Sequence, residues 1–399
     1  MQSEERSKLD TALPKLRGMV ADVPGYKELE DVVGTDDRLS RFIVSRQYDL
    51  DAARQMVVDH LTWRKENLLE TWRDQMKDKP YRLSSFPHKS VLHGKGYGMV
   101  DCAIHAGKSR FGEAVYLEIL GGEGQSTEIP EGEEEQVVRR LMDYYMCFLE
   151  KRSMILEEMS REQGRRVCTV QVRDVSRMSF MPKSGAFAVV QKIMSMGMLN
   201  YPESTSVAFF VNPPSIFMAV FAVVKRWLPE HTNRKFRFVA KVDIPNELMK
   251  FLRPSAIVAL QRLEMGEDGD SLCDELWGEK TCEDETKSWS RDVDRLVSAG
   301  DLACLFFSLK RGGVETIEWE RLNASESPKS IVSASLYFVD KPYSHPDAVE
   351  VKTITAPVGT GGFLCLPAGV DEALVMICLD HRASWISAHA FKVRIQGRI

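Results

Sequence analysis

The sequence predicts an α/β lobe preceded by a helical region and followed by an all-β sandwich. Three observations carry this. Residues 1 to about 75 have helical hydrophobic spacing, residues 90–265 alternate strands with helices, and the pattern after about 290 has period two. The expected division is therefore 1–75, 76–265, an acidic linker at 266–290, and 291–399. A chain of 399 residues is long enough for two or three such cores.

In the first part, Asp36 or Asp37 is expected to cap a helix over Arg38–Ser45. Asp49 or Asp51 caps a second helix, which presents Ala53, Met56, Val57 and Leu61 on one face and runs to Trp72. In the lobe, Val115–Leu120 reads as a strand and 121–135 as a Gly- and Glu-rich loop. A long helix covers Glu133–Arg161; its leading glutamates suit the positive end of the helix dipole. Cys168–Asp174 is a strand and Ser184–Met198 a helix. Ser206–Asn212 is a strand apolar on both faces, as in a buried parallel sheet. Ile216–Trp227 is an apolar helix, and Phe236–Val242 is the next strand.

Between Glu264 and Glu285 there are ten acidic residues and one lysine, which reads as a linker or a solvated face. Beyond it lie seven candidate strands: Leu302–Leu309, Val314–Glu320, Ile331–Phe338, Val349–Ile354, Phe363–Leu366, Leu374–Leu379 and Phe391–Ile395.

Composition narrows function. Fifty-three Lys and Arg against 58 Asp and Glu give a net charge of −5, which excludes a duplex nucleic-acid binder held by bulk charge. The eight cysteines form no CxxC and no zinc spacing, so they read as reduced thiols; no cofactor and no metal is expected. The polar MQSEERSKLD start lacks the apolar core of a secretory signal. Gly269-Asp270-Ser271-Leu272 spells a hydrolase signature, but no strand precedes it and no Asp-x-x-His follows. Gly94-Lys95-Gly96-Tyr97-Gly98 fits neither a P-loop nor a dinucleotide fingerprint. No catalytic constellation emerges, and the chain is not read as an enzyme.

One contrast is local. Lys225, Arg226, Arg234, Lys235, Arg237 and Lys241 face one acidic residue, Glu230, in the same stretch, directly after the apolar helix. Such a helix is either core or faces lipid, and a Trp with cations at its end suits a headgroup boundary. At nine residues, the clean apolar run Ile216–Val224 is too short to span a bilayer, which needs about 20.

Asp36-Asp37-Arg38-Leu39-Ser40-Arg41-Phe42 with Ser45-Arg46-Gln47-Tyr48-Asp49, then Trp63-Arg64-Lys65-Glu66, resemble the leading motifs of the CRAL-TRIO family. Tyr116-Leu117-Glu118, Tyr201-Pro202-Glu203, Phe209–Pro214 and Leu228–Lys235 follow in that family's order, so the resemblance runs from about 30 to 255. Gln47 stands where the family has a lysine, and the usual closing motif is reduced to Leu263-Glu264-Met265-Gly266. The C-terminal β segment resembles a GOLD domain.

The resemblance implies a closed apolar pocket holding one lipid, exchanged at a membrane surface through a gate. About 30 methylenes at ~0.8 kcal/mol each make their exposure to water cost roughly twenty kcal/mol, so closure must be complete. It implies phosphatidylinositol as ligand, with Arg46, Glu203, Thr232 and Lys235 on the headgroup. A weaker match puts Tyr116, Tyr145, Thr169 and Gln171 near a choline phosphate. Ile216, Phe217, Val220, Phe221 and Val224 form the gate helix. Phosphatidylcholine, a tocopherol or a squalene-like molecule are the other ligands, and a GOLD-mediated trafficking adaptor is the other function. The expected partners are a phospholipid or other hydrophobic ligand, a transient membrane surface and a protein met by the C-terminal domain. The expected location is the cytoplasm, peripheral to Golgi or endosomal membranes.

Overall fold

A computed structural model of the chain describes residues 3–78, 81, 85–87, 100–121, 134–178, 184–277, 288–297, 302–323, 331–339, 345–346, 349–356, 361–382 and 389–398. The Gly94–Gly98 motif, most of the loop expected at 121–135 and residues 278–287 of the acidic stretch lie outside these. The chain forms two compact units: Met1–His105 with Tyr116–Arg237, and Ala106–Val115 with Phe238–Ile399.

The first unit opens with α1 (Ser3–Val20), α2 (Glu30–Val33), α3 (Asp36–Ser45), α4 (Leu50–Glu66) and α5 (Leu69–Met76). The cap of α3 is Thr35, one residue before the expected Asp36; its hydroxyl accepts from the Arg38 amide at 3.3 Å. Asp36 and Asp37 instead sit in the first turn, where the dipole favours them. Asp49 caps α4, accepting from the Ala52 amide at 3.0 Å. The helix does not run to Trp72. It stops at Asn67 because Leu68 adopts φ +51°, a left-handed conformation that breaks the hydrogen-bond ladder and starts α5 at a new angle. Leu16, Val20, Leu39, Phe42, Ile43 and Val57 close the core of this layer.

A five-stranded sheet follows, in the order β1 (Val100–Lys108), β2 (Ala114–Leu120), β3 (Thr169–Asp174), β4 (Thr205–Val211) and β5 (Phe236–Val239). β3 and β4 are parallel, with Val172 beside Phe209. The crossover segments are α6 (Glu134–Gln163), α7 (Ser184–Asn200), α8 (Ser215–Val224), a 3-10 turn at Lys225–Trp227, and α9 (Glu230–Asn233). The expected Ile216–Trp227 helix is thus α8 plus that tighter turn. The strands β3 and β4 are buried along most of their length, which explains their near-continuous apolar runs.

The second unit holds α10 (Ile244–Leu248), α11 (Pro254–Glu264), α12 (Gly269–Trp277) and two four-stranded antiparallel sheets. Its strands are β6 (Trp289–Val297), β7 (Leu302–Lys310), β8 (Thr316–Arg321), β9 (Ile331–Phe338), β10 (Lys352–Thr355), β11 (Gly361–Cys365), β12 (Glu372–Asp380) and β13 (His389–Arg398). The sheet orders are β10-β9-β12-β7 and β11-β8-β13-β6. Alternate residues, among them Leu305, Ile317, Trp319, Val375, Ile377, Phe391 and Val393, form the shared core.

Two features of this unit differ from the sequence reading. β6 is an additional strand; its Arg291, Asp292, Asp294 and Arg295 disguise the alternation, although it pairs along its length with β13. The acidic stretch contains α12, whose Leu272 and Cys273 are buried.

Candidate functional site

The chemistry of the first unit gathers around one cavity of about 560 Å³, within the ~300–1,000 Å³ range of small-molecule sites. Its apolar wall comes from α6 (Phe148, Leu149), α7 (Val190, Ile193, Met194, Met198), β4 (Phe210) and α8 (Phe217, Val220, Phe221, Val224). The unbranched thioethers of Met194 and Met198 let such a wall accommodate chains of irregular shape.

The first motif builds the polar end. Arg41, buried on α3, is held by Asp37 one turn earlier, through two contacts of 2.9 Å. Its remaining donors reach the carbonyls of Val167 and Glu203, each at 2.6 Å. This clamps Glu203 in the left-handed region at φ +50°, a conformation that persists in a non-glycine residue only where its surroundings fix it. The Glu203 carboxylate then meets Lys235 Nζ at 2.8 Å and His231 Nε2 at 3.7 Å.

Arg46, Glu203, Thr232 and Lys235 all line the cavity. Glu203 pairs with Lys235 rather than with Arg46. Arg46 has no carboxylate within ion-pair distance among the described residues.

Of the second set, Tyr145 and Gln171 line the cavity, whereas Tyr116 and Thr169 do not. The Tyr116 ring is taken up by His105, Tyr81 and Phe148, at centroid distances of 4.6, 5.4 and 6.3 Å. The Thr169 hydroxyl is bound to the Ser204 carbonyl at 3.0 Å. Gln171 Nε2 donates to Thr205 Oγ1 at 3.2 Å, and burial raises the Tyr145 phenol above its ordinary range.

The residues expected to form a gate helix mostly face inward. Phe217, Val220, Phe221 and Val224 turn inward to the cavity, and Ile216 does not line it. Phe210, Phe221 and Phe236 pack with centroids 5.6–6.0 Å apart. The outward face of α8 is Met218, Ala219 and Ala222, followed by Lys225 and Arg226, all exposed. Pro214, at ψ 159°, introduces this helix after the Asn212 turn. Asn212 Nδ2 is fixed to Asp174 Oδ2 at 2.7 Å.

Sequence reasoning missed three charged groups of the cavity. Glu118 accepts from Arg173 Nε at 2.5 Å, and Arg173 also lies over the Phe210 ring at 5.6 Å. Arg152, 7% exposed, donates to Ser204 Oγ at 3.3 Å and lies 5.7 Å from the Phe148 ring. The visible signal was Glu118 in alternation with Leu120 on an otherwise apolar strand, and Arg152 within the helical run Phe148–Leu156.

A separate network ties α4 and α5 to α6. Glu150 accepts from Arg64 at 3.0 and 3.2 Å, from Arg73 at 2.7 Å and from the Tyr201 hydroxyl at 2.8 Å. Burial alone would raise its carboxyl; Arg64 and Arg73 more than offset that and hold it well below the usual range. Arg64 and the Tyr201 hydroxyl therefore hold these helices together, and Tyr201 also lines the cavity.

The serine of the hydrolase signature lies on a helix and not on a turn after a strand. Ser271 is in the first turn of α12, with both its amide and its hydroxyl bound to Asp268, at 3.0 and 2.8 Å. Among the described residues no group of His, Cys, Asp and Glu could hold a metal ion, and no helix is long and apolar enough to cross a membrane.

Comparison with known proteins finds one family model and several relatives. Residues 128–260 match the CRAL/TRIO domain. The SEC14 cytosolic factor of Eremothecium gossypii is 26% identical over 253 residues, covering 61% of this chain and 72% of that protein. The phosphatidylinositol transfer protein sfh5 of Emericella nidulans is 28% identical over 233 residues, covering 54% and 50%. The crystal structure of Sfh5 aligns with a TM-score of 0.42 at 18% identity, over 61% of this chain and 82% of that one. Residues 128–260 therefore carry a CRAL/TRIO domain, in agreement with the motifs of the sequence.

Proposed function

We propose that this protein binds one phosphatidylinositol molecule in its cavity and carries or presents it at membrane surfaces. The observation that carries the reading is the coincidence, on one apolar cavity, of the Glu203–Lys235 pair, Thr232 and a surplus Arg46. A phosphodiester calls for cations, and charge-assisted bonds to it are the strong ones. A ring of hydroxyls calls for a carboxylate acceptor and a hydroxyl partner. The names of relatives such as the SEC14 cytosolic factor and sfh5 support the same choice. Chains in the cavity and chains in a bilayer share an apolar environment, so exchange is nearly neutral once a gate opens; α8 is that gate.

On this reading the protein is a carrier without catalysis, cytoplasmic and peripherally associated with membranes. The β-sandwich at 291–399, GOLD-like in position and length, is its recognition surface for a protein partner. Phosphatidylcholine, tocopherol or a squalene-like molecule would use the same apolar wall without the Arg46 and Lys235 contacts.

The test is transfer of phosphatidylinositol and phosphatidylcholine between vesicles. Arg46→Ala and Lys235→Ala should each reduce phosphatidylinositol transfer about tenfold or more, as loss of a charged hydrogen bond implies, and leave phosphatidylcholine binding nearly intact. Loss of both lipids together, or no phosphatidylinositol binding by the parent protein, would remove the headgroup assignment.

A further inference from the structure

The charges on the cavity wall do not cancel. Four cationic side chains, Arg46, Arg152, Arg173 and Lys235, line it with two carboxylates, Glu118 and Glu203. Both carboxylates are taken, Glu118 by Arg173 at 2.5 Å and Glu203 by Lys235 at 2.8 Å. Two cations are left over. Arg46 is assigned above to a headgroup phosphate. Arg152 has no role in that scheme.

Arg152 is 7% exposed, and its hydrogen bond to a side chain is the neutral one to Ser204 Oγ at 3.3 Å. Among the described residues no carboxylate lies within ion-pair distance of it. Burial depresses its proton affinity, Glu118 partly restores it, and Arg173 works against it. A buried guanidinium without a counter-ion is costly, and a hydrophobic residue of similar length would suit an apolar wall better. The arrangement becomes favourable when the contents of the cavity supply the missing negative charge.

We propose that Arg152 is an anion anchor inside the cavity, holding the carboxylate or phosphate oxygens of a lipid whose charged group is drawn in among the apolar side chains. The planar fork of a guanidinium matches either group through two parallel bonds. Gln171 and Ser204, on the same wall, add neutral polar partners. The inference rests on reading the cavity as a lipid site. It adds a second class of cargo, an acyl lipid with an internal anionic group, to the one proposed above.

The experiment uses the full chain and two matched pairs of probes: oleate against oleyl alcohol, and dioleoyl phosphatidylcholine against dioleoylglycerol. The parent protein should bind the charged member of at least one pair about tenfold more tightly than the neutral one. In Arg152→Met that preference should vanish while the neutral member keeps its affinity. Arg152→Lys should retain part of it, since the charge remains and the fork is lost. The pair that responds shows whether the anion is a carboxylate or a phosphodiester. Equal affinities in the parent, unchanged preferences in Arg152→Met, or equal losses of charged and neutral members would each overturn the proposal. If Arg152→Met does not fold, Arg152→Lys decides, and an undiminished preference there counts against it. Phosphatidylinositol binding is measured alongside: its absence in the parent would overturn the headgroup reading and leave the two pairs to decide Arg152.

Discussion

His60 and His105 are fully buried, and both are neutral where solvent-exposed histidines begin to titrate. Burial holds the His105 imidazole down to about 3. For His60, burial, then Arg38 and Arg64, hold it well below its ordinary value, and its Nδ1 meets Asn200 Oδ1 at 3.0 Å. The sign follows from linkage. Below about pH 6.5 the unfolded chain takes up protons that the folded one refuses, so stability falls as pH falls, by about 1.4 kcal/mol per pH unit for each such group. The His105 contribution is complete above pH 6.5 and is lost progressively toward pH 3. Between pH 6.5 and 5 the carboxylates of both states are mostly ionised, so the histidines dominate the slope. His105→Gln should therefore flatten the dependence of denaturant-unfolding stability on pH in that window. An unchanged slope would mean that His105 is protonated within the fold.

Helix α8 shows how an element can be apolar all round and still have two distinct faces. Phe217 and Val220 are 6% exposed and face the cavity, whereas Met218 is 41% exposed. The sequence reading assigned the membrane contact to residues that face the cavity; on the reading proposed above the exposed Met218, Ala219 and Ala222, with Lys225 and Arg226 at the end, would make it. Met218→Asp places a charge on this outer face at little cost to folding. It should slow vesicle-to-vesicle transfer several-fold while the amount of lipid bound per protein stays the same, because an acidic group is unfavourable at an anionic headgroup layer. Phe221→Asp should behave differently, reducing lipid binding itself, since it puts a carboxylate into the Phe210–Phe217–Phe236 cluster. Equal transfer rates in Met218→Asp and the parent, with full lipid loading, would make α8 a wall and not a gate.

The whole molecule divides where its contacts do, and this bears on truncation. In the second unit, Gln261 of α11 exchanges two hydrogen bonds with the Phe306 backbone of β7, at 2.7 and 3.2 Å. Arg110 pairs with Glu372 of β12 at 3.2 Å. Removing residues 290–399 would take β7 and β12 away and leave α11 without the sheet it packs on. Such a chain should melt several degrees lower and associate on size-exclusion chromatography, even though every residue lining the cavity belongs to the first unit. An unchanged melting temperature would show that α10–α12 need no sheet beside them.

The sequence by itself determined the order of the parts, because local periodicity and caps survive folding. The helical spacing of Ala53, Met56, Val57 and Leu61, the apolar run of β4 and the alternation of β7, β9 and β12 each correspond to the element that formed. The motifs likewise brought Arg46, Glu203, Thr232 and Lys235 to one cavity from positions far apart in the chain. Only the tertiary structure decided what each charge pairs with and which way each face points. Arg41 became the clamp on the Glu203 backbone, Lys235 took the carboxylate, and Tyr116 and Thr169 were drawn off into packing and backbone bonds. Arg152 went unnoticed in a helix of mixed composition. The physical reason is common to these cases. Periodicity records how much of a residue is buried, while ion pairing and burial against a cavity depend on neighbours tens to hundreds of residues away, supplied only when the crossovers close.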